Sequence, residues 1–220
     1  MTVTTATSVS TPTSPLSHEE ESLWPTMSYE EKFDLLFKKA TEENNAWAQN
    51  KLGYYYLKGK GCNKSLKNSY AWHKLAADQG DASAQNNVAY CYQKGRGCQK
   101  NPEHSIHYYK LAAAQNHLRG IDGLGLCYLF GRGCAVDYDN AVQFFRHAAN
   151  EKLASAQAHL GLCYEKGLGV KKSIRMAEDL YGAASDQGNK WAEKKGDDLI
   201  YVDDSDTDSL GFLDEDSREL

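Results

Sequence analysis

Six cysteines and seven histidines are the residues of this 220-residue chain whose types could bind a metal, form disulfides or pair as nucleophile and base. The cysteines fall in two columns, Cys62, Cys98, Cys134 and Cys91, Cys127, Cys163, each stepping by 36 residues. The pairs Cys91/Cys98 and Cys127/Cys134 share a seven-residue offset that invites a disulfide reading. No C-x-x-C is present, which argues against zinc. Both columns fall at apolar positions, where cysteine acts as a small buried hydrophobe, so free thiols are expected. His104 and His107 can share a helix face, but no third ligand accompanies them, and no metal is expected. Nothing in the order of Ser, His, Cys and carboxylates suggests catalysis, so neither enzyme activity nor a cofactor is expected. Gly59-Lys60-Gly61 has the flavour of a phosphate cradle. It lacks the G-x-x-x-x-G-K-[ST] spacing, however, and no strand precedes it.

What positions these residues is a repeat. Segments 46–81, 82–117, 118–153 and 154–189 align without a gap at a 36-residue spacing. The turn column reads Gly59-Lys60-Gly61-Cys62, Gly95-Arg96-Gly97-Cys98, Gly131-Arg132-Gly133-Cys134 and Gly167-Leu168-Gly169-Val170. Tyr56, Tyr92, Tyr128 or Tyr164 stands three residues before each first glycine, and Ala76-Ala77, Ala112-Ala113, Ala148-Ala149 and Ala184-Ser185 follow. Within a unit, Ala48, Leu52, Tyr55, Tyr56 and Gly59 recur at helical steps, as do Ser69, Trp72, His73 and Ala76. Each unit is therefore a helix, a glycine turn and a second helix. One such hairpin cannot bury both its faces, so adjacent units must stack into an all-α solenoid of αα-hairpins.

The pattern A-x-x-x-L-G-x-x-Y-x-x-G-x-G, followed by an aromatic pair and A-A-x-Q-G, resembles the Sel1-like repeat, a relative of the tetratricopeptide repeat. The resemblance covers 46–189 and departs in detail: Gly120 replaces the first alanine of unit three, and cysteine follows the glycines three times. It implies a right-handed superhelix that serves as a non-catalytic scaffold or adaptor for other proteins. The runner-up it implies is a regulatory subunit that activates a partner enzyme, for example in cell-wall synthesis or signalling. A cysteine-rich secreted subset of such repeats has disulfides that join the second helix to the next unit. The cysteines of this chain do not match that placement.

Charge divides unevenly along the chain. Residues 1–27 carry -3, residues 28–196 carry +7 and residues 197–220 carry -9, within a total of -5. Residues 1–27 and 203–220 are expected to be disordered tails around a solenoid over 28–202. Ser28 and Glu31 form a capping box that opens a helix at Tyr29, equivalent to the second helix of a missing unit. Its Phe33, Leu36, Phe37 and Ala40 are expected to pack on unit one. Residues 189–200, with Trp191 and Ala192 in register, supply a charged capping helix. No secretory signal or membrane span is recognisable, so a cytoplasmic or nuclear monomer is expected.

The face of each first helix opposite Ala48, Leu52 and Tyr56 is expected to line the concave surface. Its column at 54 reads Tyr54, Tyr90, Leu126, Leu162, with Lys51, Lys58, Lys94, Arg119 and Lys166 around it. Trp47, Asn50, Asn86, Asn87 and His159 complete the set. Aromatics give anchors, asparagines hold an extended backbone, and lysines favour acidic partners. The competing expectation for Leu126 and Leu162 is packing between first helices. Nucleic acid is not expected as a partner, since the chain is acidic overall and carries no recognition motif.

The two ends of the chain carry further patterns. Leu199, Ile200 and Val202 before Asp203 and Asp204 resemble a SUMO-interacting motif, while Leu199 and Ile200 also continue the register of the capping helix. Asp204, Asp206, Asp208 and Glu215 have EF-hand spacing but lack its glycine, which reads as chance in an acidic tail. Ser205, Thr11 and Ser14 have the context of kinase sites. An acidic tail folding over a basic groove would compete with an acidic ligand.

Overall fold

The computed structural model describes residues 16–201. Eleven α-helices, and no strand, occur among the described residues. A short entry helix α1 (His18–Leu23) leads through a 3-10 turn, Trp24–Thr26, to α2 (Tyr29–Glu42). Four hairpins follow: α3 (Ala46–Lys58) with α4 (Leu66–Asp78), α5 (Ala82–Lys94) with α6 (Pro102–Ala114), α7 (Leu118–Phe130) with α8 (Tyr138–Asn150), and α9 (Ala154–Lys166) with α10 (Ile174–Ser185). The cap α11 (Lys190–Tyr201) closes the series. From α2 to α11 each helix packs on its neighbours in chain order, which is the solenoid the repeat requires.

The boundaries follow from local chemistry. Asn45, Ser65, Asp81, Asn101, His117, Asp137 and Ser173 each accept the third helical N–H through the side chain, satisfying a donor the helix cannot. Each first helix ends on a left-handed glycine; at Gly59 φ is 69°. Gly61, also left-handed, lies so close to the Tyr29 carbonyl that a Cβ would collide with it. The glycine turn is thus a site of backbone approach between one unit and the second helix of the unit before.

The core follows the stack as four clusters of buried side chains, three of them linked by half-buried rings such as Tyr128, Phe144 and Trp191. Ala48, Leu52, Ala76, Ala84, Val88, Ala112, Ala148 and Ala156 are fully buried. The small residues let helices close, and one large ring per second helix fills the space. Those rings are His73, Tyr109, Phe145 and Tyr181, all nearly inaccessible. Glutamine pairs clasp single units, from the end of the second helix back to the start of the first: the Gln79 amide donates to Gln49 at 2.7 Å, Gln115 to Gln85 at 2.9 Å, and Gln187 to Gln157 at 2.7 Å. Unit three uses buried Ile121 there instead.

The N-terminal boundary differs from the expectation. Residues 18–26, assigned to a disordered tail over 1–27, are folded. Ser17 and Glu20 form a second capping box, Trp24 packs on Trp47 with ring centroids 6.2 Å apart, and the Lys39 ammonium reaches Glu20 at 3.0 Å. A tryptophan and a leucine, Leu16, at 7% exposure, supply the apolar contacts that hold the segment down. Helix α2 docks through Leu36 and Ala40, with Phe33 half-buried and Phe37 at 42% exposure. At the other end Ala192 is buried and Trp191 packs edge-on against Tyr181 at 5.7 Å.

Candidate functional site

First helices of successive units meet directly along one face, because side chains one unit plus one residue apart bridge them. Asn87 donates to the Asn50 carbonyl oxygen at 3.1 Å, across α3 and α5. His159 Nδ1 lies 2.7 Å from Asp122 Oδ1, across α7 and α9, and the Ser155 hydroxyl donates to the other carboxylate oxygen at 2.8 Å. Asn50 also donates to Asp81 at 3.1 Å. Asn86 lies beside Asn87, their side-chain amides 3.5 Å apart. Asn50, Asn87 and His159, expected to face a ligand, therefore spend hydrogen bonds on joining the units.

The remaining members of the set divide by exposure. Lys51, Lys58, Arg119 and Lys166 are exposed; Trp47, Tyr54, Tyr90 and Lys94 are half-buried. The Lys51 ammonium stands 5.7 Å from the Trp47 ring centroid, and Lys166 pairs with Glu165 at 2.9 Å. Leu126 and Leu162 are each 4% exposed and belong to the core of units three and four. The apolar-aromatic stripe is thus open only at Tyr54 and Tyr90. Its leucine half is closed because an aliphatic side chain gains more from the neighbouring helices than from water.

Beneath this face, His73 donates or accepts at 2.8 Å with Asn50 and is 2% exposed. Burial pushes its pKa down to about 4, so the ring is neutral at physiological pH. The equivalent rings of later units follow a pairing rule. Tyr109 donates to Gln93 at 3.5 Å, Tyr181 donates to Glu165 at 2.7 Å, and Phe145 stands in the unit whose equivalent residue is Leu129. A buried hydroxyl brings its own acceptor, whereas a ring without one does not. Burial opposes the charge of Glu165, but hydrogen bonds from Lys166 and Tyr181 and the charge of Lys195 hold its pKa below the ordinary value. The amide nitrogen of Gln93 is buried without a hydrogen-bond partner.

Three cations of the glycine turns also belong to this face. Lys60 lies 5.1 Å from the Tyr54 ring and 4.9 Å from the Tyr29 ring. The Arg96 guanidinium lies 5.1 Å from the Tyr90 ring, and that of Arg132 lies 4.9 Å from Phe130. The signal was available: the residue between the two turn glycines is basic in three units. A shallow dent opens between units one and two, lined by Leu57, Ser69, His73, Asn87, Tyr90 and Arg96 among others.

All six cysteines are free; burial pushes the Cys91, Cys127 and Cys163 thiols up to about 12, where they stay protonated. His104 and His107 are exposed on α6, and no group of three His, Cys, Asp or Glu able to hold a metal exists among the described residues. Ser155, Asp122 and His159 do not form a nucleophile–base pair, since the hydroxyl bonds the carboxylate and not the imidazole. Leu199 and Ile200 lie in α11; Val202, the EF-hand-like acids, Ser205, Thr11 and Ser14 lie outside the described residues. Among the described residues no helix is long and apolar enough to cross a membrane.

The Sel1 repeat profile matches residues 48–81, 82–117, 121–152 and 154–189. A Sel1 repeat protein from Oxalobacter formigenes has a similar structure, with a TM-score of 0.71 and 32% identity over 81% of this chain and 72% of that one. A protective antigen present in uropathogenic Escherichia coli strains, displaying an SLR fold, gives a TM-score of 0.66 and 34% identity over 73% of this chain. The match spans only 34% of the antigen's length. No curated protein matches the chain.

Proposed function

The chain belongs to the Sel1 repeat family, whose members are generally non-catalytic protein-interaction scaffolds, and on that premise we propose that it holds an extended acidic segment of a partner protein on the inner face of its first helices. The observation that carries this reading is the coexistence of exposed Lys51, Lys58 and Arg119 with half-open Tyr54 and Tyr90 on a surface whose asparagines and core rings are already committed to joining units. Rings provide area at low entropy and cations provide steering, so an acidic chain gains on both counts. The footprint centres on units one and two and the start of unit three, since Leu126 and Leu162 are closed and Lys166 is neutralised by Glu165. Residues 203–220, strongly acidic, compete for the same cations in this reading.

Panning a random peptide library on the full chain tests it. Asp- and Glu-rich sequences should be enriched and should lose binding to a Lys58→Glu, Lys94→Glu variant. Enrichment indifferent to that double reversal contradicts the proposal.

A further inference from the structure

We propose that the turn cations Lys60, Arg96 and Arg132 form a ladder that reads carboxylates at every third residue of a partner segment in the polyproline II conformation. This deepens the acidic-ligand reading and rests on it.

The ladder is a built feature. In units one and two the ring under the cation is the residue at the same repeat position, Tyr54 or Tyr90. In unit three that position, Leu126, is buried, and the ring is supplied by Phe130, four residues on. Four residues is one helical turn, so the aromatic platform keeps its face although its position changes. A cation laid on a ring loses conformational freedom before any ligand arrives, which lowers the entropy of ordering it on binding. Among the described residues none of the three cations has a carboxylate within ion-pair distance. Unit four has Leu168 at the equivalent position, so the ladder ends there.

Spacing selects the ligand conformation. First helices of neighbouring units are bridged by direct side-chain hydrogen bonds, and α5 touches α7; helices in such contact stand about 10 Å apart, which is the step the proposal takes for the ladder. Three residues of a polyproline II helix advance about 9 Å and return the side chain to the same side. Three residues of a β-strand advance about 10 Å but place the side chain on the opposite side. Only the former presents carboxylates at i, i+3 and i+6 to one row of cations. Arg96 also rims the dent between units one and two, which can receive the small side chain between two such carboxylates.

The experiment compares two peptides by fluorescence anisotropy against the full chain: three Glu-Pro-Ala triplets, and an isomer with the three glutamates contiguous. The triplet peptide should bind about tenfold more tightly, the scale of three exposed ion pairs. Lys60→Ala, Arg96→Ala and Arg132→Ala should each weaken it about threefold. Leu168→Arg should strengthen a four-triplet peptide, with helicity by circular dichroism confirming that each variant is folded. Equal binding of the two isomers, or of wild type and all three alanine variants, overturns the ladder. If neither isomer binds while library-selected acidic peptides still bind and lose affinity with Lys58→Glu, Lys94→Glu, the ladder falls and the groove reading stands. If the selected peptides fail as well, both fall.

Discussion

Replacing His73 by phenylalanine should remove an acid sensitivity built into the first pair of units. The ring is 2% exposed, has no carboxylate bonded to it, and is held by Asn50 and Asn87. Its pKa falls from the ordinary 6.5 to about 4, with burial as the cause. Since the folded state keeps the ring neutral, the unfolded chain takes up the proton first as pH drops. His73 therefore adds no penalty above its unfolded value. The penalty grows as pH falls from there towards about 4 and is complete below it. Between neutral pH and about pH 4.5 the linkage amounts to about 2 kcal/mol. Phenylalanine already occupies the equivalent position of unit three, beside Leu129 and against Gly125, just as His73 lies beside Leu57 and against Gly53. The substitution thus has a precedent within the chain. Urea unfolding followed by circular dichroism at a series of pH values supplies the assay, and titrations elsewhere cancel in the difference between the two proteins. The His73→Phe chain should lose about 2 kcal/mol less than wild type over that range. Parallel pH dependences would refute the burial argument.

Three other outcomes follow from the packing. Gly125→Ala would place a Cβ 2.6 Å from the Phe145 ring, and the variant should unfold about 2 kcal/mol more easily by urea titration. Lys152 is exposed at φ 61°, where units one and four carry Gly80 and Gly188, so Lys152→Gly should stabilise the chain by about 1 kcal/mol in the same titration. A chromogenic thiol reagent at neutral pH should modify the half-buried Cys62, Cys98 and Cys134 first and leave Cys91, Cys127 and Cys163 untouched until the chain unfolds.

The repeat, its hairpins and its caps were legible because they rest on periodic residues whose local chemistry is self-contained: left-handed glycines, capping side chains and alanine pairs. What was not legible depends on contacts between units. Leu126 and Tyr90 share a repeat position, yet one is core and the other partly open, and only the closeness of neighbouring helices decides between them. Asn50 and Asn87 lie 37 residues apart, one more than the repeat, so an alignment by equivalent positions hides their hydrogen bond. The turn cations were visible as a basic column, but their rings lie on the preceding helix, and Arg132 takes Phe130 where its predecessors take the tyrosine position. Residues 17–24 carried a capping box and a tryptophan; the Ser/Thr-rich segment before them masked both.

The central claim, an acidic segment lying along the inner face of the first helices, is tested most directly by an amide NMR titration of the isotopically labelled chain with a library-selected acidic peptide. The account predicts shifts concentrated on α3, α5 and the start of α7, around Lys51, Tyr54, Lys58, Tyr90 and Arg119, weakening as salt rises. Shifts confined to the second helices α4, α6 and α8, or insensitive to salt, would contradict it.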